Sequence, residues 1–135
     1  RLTIIIRMGT DKINDYLPQL IHRATSENLN LLWICDPMHG NTYKTKNGYK
    51  TRHFNAILKE IQQFFAIHQK LGTIPGGVHF ELTGDNVTEC LGGAQEISDI
   101  DLKERYETAC DPRLNNEQSL ELAFLITELL RNDNA

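Results

Sequence analysis

The sequence lacks several features that would point to particular classes of protein. No apolar run approaches the roughly 20 residues needed to cross a bilayer, so we expect no membrane-spanning helix. No basic run is long enough to follow a nucleic-acid backbone, and the formal net charge is -4, which disfavours nucleic-acid binding. The three cysteines are an odd number and do not make the disulfide framework of a small secreted protein. We expect Cys35, Cys90 and Cys110 to be reduced, half-buried fillers, with a role near a metal or in redox sensing as the alternative.

A starting methionine and a signal-peptide layout are also missing from the first residues. The chain opens in the middle of an apolar run, and we therefore expect it to be a piece of a longer protein. Its 135 residues are 40% hydrophobic and 24% charged, which is ordinary globular composition and argues against a disordered tail. We interpret residues 1–135 as a single partial domain.

Apolar periodicity divides the chain into alternating strands and helices. Strands are predicted over residues 2–8, 30–36 and 78–82, and helices over residues 11–26, 51–71 and 116–131. This alternation predicts an α/β fold with a parallel sheet and right-handed crossovers. Because three parallel strands cannot close a barrel, the pattern fits either a small open α/β layer or the last three units of an eight-unit barrel.

Several local features are predicted along these elements. The first strand is apolar at nearly every position, which is typical of a parallel strand covered on both faces. Thr10 or Asp11 is expected to cap the first helix. Residues 38–48 form a long connection, which indicates a functional loop, and residues 73–77 are predicted to be a tight turn. The buried stripe of the last helix is expected to consist of Leu120, Ala123, Phe124, Thr127 and Leu130.

Candidate chemistry lies where the predicted strands end, because those ends and their loops form the active face of a parallel α/β fold. Arg7, His39, Glu81 and Asp111 all fall on this face. One imidazole and two carboxylates suit a divalent cation such as Mn²⁺, Co²⁺, Fe²⁺ or Zn²⁺. Taken singly, His39 could be a hydrogen-bonded loop histidine, Glu81 a buried ion pair with an arginine, and Asp111 an Asx turn. On the predicted third strand His79 points to the same side as Glu81, which makes it the weakest of the ligand candidates or, as the alternative, a residue that supports the ligands.

The cations form a second set of candidates. Arg7 could hold a phosphate or carboxylate with a two-pronged contact. Lys50 and Arg52 stand at a predicted helix start, where an anion would be favoured, although a solvated basic helix start is the alternative. Arg113 could instead pair with an acid. The remaining candidates are interpreted as structural residues, namely His22, His53 and His68 within helices and Trp33 in the core.

Five motifs together resemble class II 3-deoxy-D-arabino-heptulosonate 7-phosphate (DAHP) synthase. The resemblance covers essentially the whole chain and its motifs are long. They are Arg7-Met8-Gly9; the run Trp33-Ile34-Cys35-Asp36-Pro37-Met38-His39-Gly40-Asn41-Thr42; Tyr49-Lys50-Thr51-Arg52; Gly77-Val78-His79-Phe80-Glu81-Leu82-Thr83-Gly84 with Val87-Thr88-Glu89-Cys90; and Tyr106-Glu107-Thr108 with Cys110-Asp111-Pro112-Arg113-Leu114-Asn115.

The resemblance implies a (β/α)₈ barrel that condenses phosphoenolpyruvate with erythrose 4-phosphate and water, giving DAHP and phosphate in the first step of the shikimate pathway. It implies that His39, Glu81 and Asp111 bind a divalent metal ion. Mn²⁺ and Co²⁺ are the first candidates for that ion, and Zn²⁺, Fe²⁺ and Cd²⁺ are further candidates. Arg7 would hold phosphoenolpyruvate, and Lys50 would reach the substrate phosphate region. The catalytic residues implied by the resemblance are Arg7, His39 and Glu81. A homo-oligomer, located in the cytoplasm or in a plastid if the source is a plant, is also implied.

The family's barrel has five earlier βα units and a cysteine metal ligand that are absent from this sequence, and none of the three cysteines here matches that ligand's motif. We therefore interpret the chain as the C-terminal part of a synthase, and expect it to be inactive alone. The alternative is a non-catalytic fragment that must dock with the missing N-terminal half of the barrel. A weaker third hypothesis is a small metal-dependent hydrolase that uses His39, Glu81 and Asp111.

Overall fold

A computed structural model describes residues 2–132 of the chain. Two compact units are present: the first contains the residues up to Asn41 together with Ala56–Phe80, and the second contains Thr42–Asn55 together with the residues from Glu81 onward. Among the described residues, no helix has the length and apolarity that crossing a membrane requires. The elements in chain order are β1 (Leu2–Ile6), α1 (Ile13–Ser26), β2 (Leu31–Cys35), a 3₁₀ turn (His39–Asn41), β3 (Thr42–Lys44), β4 (Lys50–Arg52), α2 (Phe54–Leu71), β5 (Pro75–Val78) and α3 (Asn116–Asn132).

The first unit is built on a three-stranded parallel sheet in the order β1-β2-β5. Strand β1 pairs with β2 along its whole length, from Leu2 opposite Leu31 to Ile6 opposite Cys35. The predicted parallel βα units are therefore confirmed, and the three strands form an open sheet. Because the strands run in parallel, the loops that follow β1 and β2 leave the sheet at the same edge.

Strand β1 differs from its prediction in burial. Leu2 is 58% exposed and Ile5 is 50% exposed, whereas Ile6 is buried. The prediction of a strand covered on both faces was therefore wrong for the described chain. The apolar run identified a strand correctly, but β1 is an edge strand and no described residue buries these two side chains.

Helix α1 begins two residues later than predicted. Its N-cap is Lys12, which makes no capping hydrogen bond from its side chain, so the prediction of Thr10 or Asp11 as the cap was wrong. The Thr10 hydroxyl donates to Asp11 Oδ1 instead, at 3.3 Å. The first turn is held by the Gly9 carbonyl oxygen, which accepts hydrogen bonds from the backbone N–H groups of Lys12 and Ile13. The helix then buries Ile13, Leu17, Ile21 and Ala24.

The apolar spacing of the sequence also predicts the inner face of α2, and the structure largely confirms it. The predicted residues are Phe54, Ile57, Leu58, Ile61, Phe64, Phe65 and His68. Phe54, Ile57, Ile61 and Phe64 are each at most 1% exposed. His68, which is fully buried, lies with its ring centroid 4.5 Å from Phe64 and 5.9 Å from Trp33 on β2. Burial lowers the pKa of His68 to about 4, so this histidine is a neutral core residue, in agreement with its structural interpretation.

Strand β5 occupies the segment that was predicted to be a turn. It spans Pro75–Val78, so Val78 is the one residue of the predicted strand 78–82 that lies within it. The physical reason is close packing at Gly76. A Cβ atom on Gly76 would lie 2.4 Å from Leu32 Cδ1 and 2.6 Å from the Trp33 carbonyl oxygen. The glycine therefore permits close approach of β5 to β2. In the sequence alone, a glycine with this role looks the same as a glycine in a turn.

Gly76→Ala is expected to destabilise the full-length protein by about 2 kcal/mol, because the new methyl group overlaps a backbone atom that cannot rotate away. Gly84→Ala is the matched control, since a Cβ atom there meets nothing within 4 Å, and its effect should stay within about 0.5 kcal/mol. Denaturant unfolding monitored by fluorescence measures both changes. Equal midpoints for the two variants would contradict this account of Gly76.

In the second unit a hairpin replaces the predicted long loop. Strands β3 and β4 are antiparallel, with Thr42 opposite Arg52 and Lys44 opposite Lys50. Gly48, at a φ of 86°, turns the chain between them. The strands have only three residues each, which is too short for a periodic signal, and so the sequence pattern did not reveal them.

Helix α3 was predicted in the right place with the wrong face buried. Leu120 is 62% exposed and Phe124 is 70% exposed, whereas Leu122 and Gln118 are buried. The Gln118 side-chain amide donates to the Cys90 carbonyl oxygen at 3.1 Å, which directs this face of the helix into the second unit. The more apolar stripe is left exposed in the described chain.

Candidate functional site

In the first unit, a single buried carboxylate joins two of the predicted site residues. Asp36 follows β2 directly and is 2% exposed. Its Oδ2 lies 2.7 Å from Nδ1 of His39 and 3.3 Å from Nε of Arg7. Its Oδ1 accepts hydrogen bonds from the backbone N–H groups of Met38 at 3.0 Å and His39 at 3.2 Å. Arg7 and His39 are thus brought together as predicted. Asp36 itself ends the predicted strand and belongs to the motif that carries His39, but no role in the site was predicted for it.

A second buried acid, Glu60 on α2, holds the loop that carries Arg7. Its side chain accepts hydrogen bonds from the Gly9 N–H at 2.8 Å, the Met8 N–H at 3.3 Å and the Asn41 side-chain amide at 2.6 Å. Desolvation raises the pKa of Glu60, although these hydrogen bonds oppose the rise. A lone glutamate on the apolar face of α2 was the only sequence signal for this role.

The second unit gathers its site residues around Arg52, a fully buried guanidinium on β4. One terminal nitrogen donates to Glu81 and to the Pro112 carbonyl oxygen. The Nε atom donates to Thr42 Oγ1 at 2.7 Å, and the other terminal nitrogen lies 3.9 Å from Asp111 Oδ1. The alternative of a solvated basic helix start is therefore wrong for Arg52. The ion pair between Glu81 and an arginine, left open as the alternative for Glu81, is present.

Lys50 is the other cation of β4, and its ammonium group pairs with Asp111. This hydrogen bond raises the pKa of Lys50, so the side chain is a permanent cation at neutral pH. About 40% of the Lys50 side chain is exposed. The Tyr106 hydroxyl donates to the Lys50 carbonyl oxygen at 2.6 Å, which fixes the backbone at this point. Lys50 therefore offers a positive charge beside Asp111 that a phosphate could approach.

Arg113 pairs with an acid, which is the possibility that the sequence raised for it. Its Nε and one terminal nitrogen lie 3.0 Å and 2.7 Å from the two oxygens of Glu89, which is fully buried. Burial by itself would raise the pKa of Glu89, but the hydrogen bonds from Arg113 outweigh it and hold that pKa below its usual range. Arg113 is therefore committed to a structural ion pair.

His79 does not lie on a strand, so the argument that it shares a side with Glu81 was wrong. It follows β5, donates its backbone N–H to the Cys35 carbonyl oxygen at 2.7 Å, and exposes its side chain. Cys35 and Cys90 are buried free thiols, and burial raises both pKa values, that of Cys90 to about 12. They are inert fillers. Cys110 is an exposed free thiol and is not a filler.

The three predicted metal ligands are all half-buried, with His39 in the first unit and Glu81 and Asp111 in the second. An imidazole nitrogen and two carboxylates are a donor set that could hold a metal ion, and their chemistry fits a borderline divalent cation. That the three share one ion stays a prediction.

The chain was compared with known protein families and curated proteins. A model of the class-II DAHP synthetase family matches residues 1–127. The phospho-2-dehydro-3-deoxyheptonate aldolase AroG of Mycolicibacterium smegmatis is 61% identical over 132 residues, which are 98% of this chain and 28% of that protein. The phospho-2-dehydro-3-deoxyheptonate aldolase of Streptomyces coelicolor is 58% identical over 132 residues, 98% of this chain and 29% of that protein.

A protein of the same name from Streptomyces lividans is 58% identical over 132 residues, and there the match covers 98% of this chain and 90% of the relative. The chain thus spans under a third of the length of the first two relatives and most of the third. Since the family model matches nearly every residue, the resemblance inferred from the motifs is confirmed. The chain belongs to the class-II DAHP synthetase family.

Proposed function

We propose that this chain is the C-terminal part of a DAHP synthase, which joins phosphoenolpyruvate to D-erythrose 4-phosphate and water and releases DAHP and inorganic phosphate. The observation that carries the proposal is the 61% identity over 132 residues to a phospho-2-dehydro-3-deoxyheptonate aldolase. The open sheet of parallel βα units is consistent with the last three units of a (β/α)₈ barrel, in which active sites form at the strand ends.

The proposed roles follow the chemistry of each side chain. Arg7 binds the anionic part of phosphoenolpyruvate, because its half-exposed guanidinium offers paired N–H groups for two oxygens. Lys50 neutralises phosphate charge from its half-exposed position on β4. His39, Glu81 and Asp111 hold the divalent metal. When bound, that metal supplies Lewis acidity to the aldehyde carbonyl of erythrose 4-phosphate.

The donor set narrows the choice of metal. Two carboxylates with one imidazole favour Mn²⁺ or Co²⁺, with Zn²⁺, Fe²⁺ and Cd²⁺ as further candidates. The cysteine ligand that the family resemblance implies would come from a part of the barrel outside this chain. Assembly into a homo-oligomer and a cytoplasmic or plastid location stay predictions.

Phosphate release is the direct test of the proposal. The full-length protein that contains this chain, stripped of metal with a chelator, should release phosphate only when phosphoenolpyruvate, erythrose 4-phosphate and Mn²⁺ are all present. Omitting erythrose 4-phosphate is the control, because a metal-dependent phosphatase would still act on phosphoenolpyruvate.

The same assay separates the alternatives. The isolated chain of 135 residues should be inactive and should not gain activity from Mn²⁺ alone. Full activity of the isolated chain would contradict the requirement for the earlier barrel units. No activity from the full-length protein under any metal would favour the non-catalytic docking fragment, and hydrolysis of an ester without phosphoenolpyruvate would favour the hydrolase.

A further inference from the structure

We propose that Asp36 is a positioning residue that couples the substrate-binding arginine to the metal-binding histidine. The inference rests on the proposed function, because it takes Arg7 as the phosphoenolpyruvate residue and His39 as a metal ligand. All three residues lie within the first unit, on the two loops that leave β1 and β2 at the same sheet edge.

The two carboxylate oxygens of Asp36 contact different groups. Oδ1 accepts the backbone N–H groups of Met38 and His39 and thereby shapes the turn after β2. Oδ2 faces the two functional side chains, at 2.7 Å from Nδ1 of His39 and 3.3 Å from Nε of Arg7. A carboxylate that only shaped the turn would need Oδ1 alone.

The contact with His39 selects the form of the imidazole that binds metal. A carboxylate oxygen is an acceptor, so the ring nitrogen that faces it carries the proton. The neutral imidazole then has its lone pair on Nε2, and Nε2 becomes the ligand atom. Outer carboxylates of this kind fix ring orientation and raise ligand basicity in metalloproteins, and their loss weakens metal affinity about 10–100-fold.

The contact with Arg7 orients the guanidinium. Asp36 uses the Nε–H, and a guanidinium has four further N–H groups with which to bind an anion. About half of the Arg7 side chain is exposed, whereas the Asp36 side chain is only 3% exposed. The buried Asp36 carboxylate therefore fixes the Nε atom of Arg7, while the terminal part of the Arg7 guanidinium is accessible to an anion. Glu60 supports the same arrangement by holding the backbone N–H groups of Met8 and Gly9.

Asp36→Asn tests the coupling and keeps the side-chain shape. Asparagine retains one acceptor oxygen for the turn but places an amide NH₂, a donor, against Nδ1 of His39 and Nε of Arg7. Asp101→Asn is the matched control, because Asp101 also accepts a backbone N–H within a turn, from Ser98 at 2.8 Å, and lies in the second unit.

In the full-length protein, the dissociation constant for Mn²⁺, followed by electron paramagnetic resonance of the free ion, should rise about 10–100-fold in Asp36→Asn. The KM for phosphoenolpyruvate should rise about tenfold, and neither value should change in Asp101→Asn. Unchanged values in a folded Asp36→Asn protein would overturn the coupling and leave the proposed function intact. If the wild-type protein neither binds Mn²⁺ nor releases phosphate, the proposed function itself fails.

A measurement on the wild-type protein covers the case in which Asp36→Asn does not fold. Nitrogen-15 spectra of the histidine-labelled protein without metal, with His39→Gln to assign the signal, should show the proton of His39 on Nδ1. A proton on Nε2 would overturn the proposal whatever the behaviour of the variants.

Discussion

Replacing His39 with alanine in the full-length protein is expected to reduce the kcat of the proposed synthase reaction by about 1,000-fold or more and to remove most of the bound metal. The loss of this proposed ligand would remove Lewis acidity worth several kcal/mol, and each 1.36 kcal/mol is a factor of ten in rate. The fold should survive, because the His39 side chain is 25% exposed and lies in a three-residue 3₁₀ turn. Steady-state phosphate release and metal analysis of the purified variant measure both effects.

His22→Ala is the control for this experiment. His22 lies on α1 with an exposed side chain, and its removal should leave both rate and metal content near the wild-type values. A near-normal rate with full metal content in His39→Ala would show that His39 is the hydrogen-bonded loop histidine that was its alternative.

The second large effect is expected in the second unit. Arg52→Met should destabilise the β3–β4 hairpin by about 3–5 kcal/mol, because it leaves Glu81 without its buried cationic partner and removes the donor to Thr42 Oγ1. Hydrogen exchange measured by mass spectrometry reports the loss locally in the full-length protein. Peptides that cover β3 and β4 should exchange about 100-fold faster or more, since 1.4 kcal/mol is a factor of ten in the opening equilibrium.

Arg105→Met is the matched control, because Arg105 makes an ion pair with Glu107 in which both side chains are nearly half exposed. Exposed pairs are worth at most about 1 kcal/mol, so exchange around Arg105 should change little. Similar protection losses in the two variants would mean that the burial of Arg52 does not determine its contribution.

Local patterns predicted the parallel βα order and the buried face of α2, because those elements are long and their apolar residues recur regularly. The patterns failed where tertiary packing decides. In the sequence Gly76 looks like a turn residue, because only the structure shows that Leu32 and Trp33 pack closely against it. The apolar stripe of α3, with Leu120 and Phe124, was assigned to the core, although the described chain buries the opposite face.

The site also has features that the sequence predicted and features that depend on tertiary packing. Arg7, His39, Glu81 and Asp111 could be identified from residue types at strand ends and from family motifs, and their roles stay proposals. The pairings that hold these residues in place could not be assigned from the sequence. Glu60 is 51 residues from Gly9, and Arg52 is 29 residues from Glu81. Pairs at such separations leave no periodic trace in one sequence, and only folding brings them together.

Metal stoichiometry tests the central claim most directly, namely that this segment supplies ligands to the metal of the proposed synthase. Metal analysis of the full-length protein, equilibrated with Mn²⁺ and then desalted, should give about one ion per chain, and Asp111→Asn should retain little. Glu89→Gln, which alters a fully buried acid outside the proposed ligand set, should retain the ion. A full equivalent of metal in both variants would contradict the account.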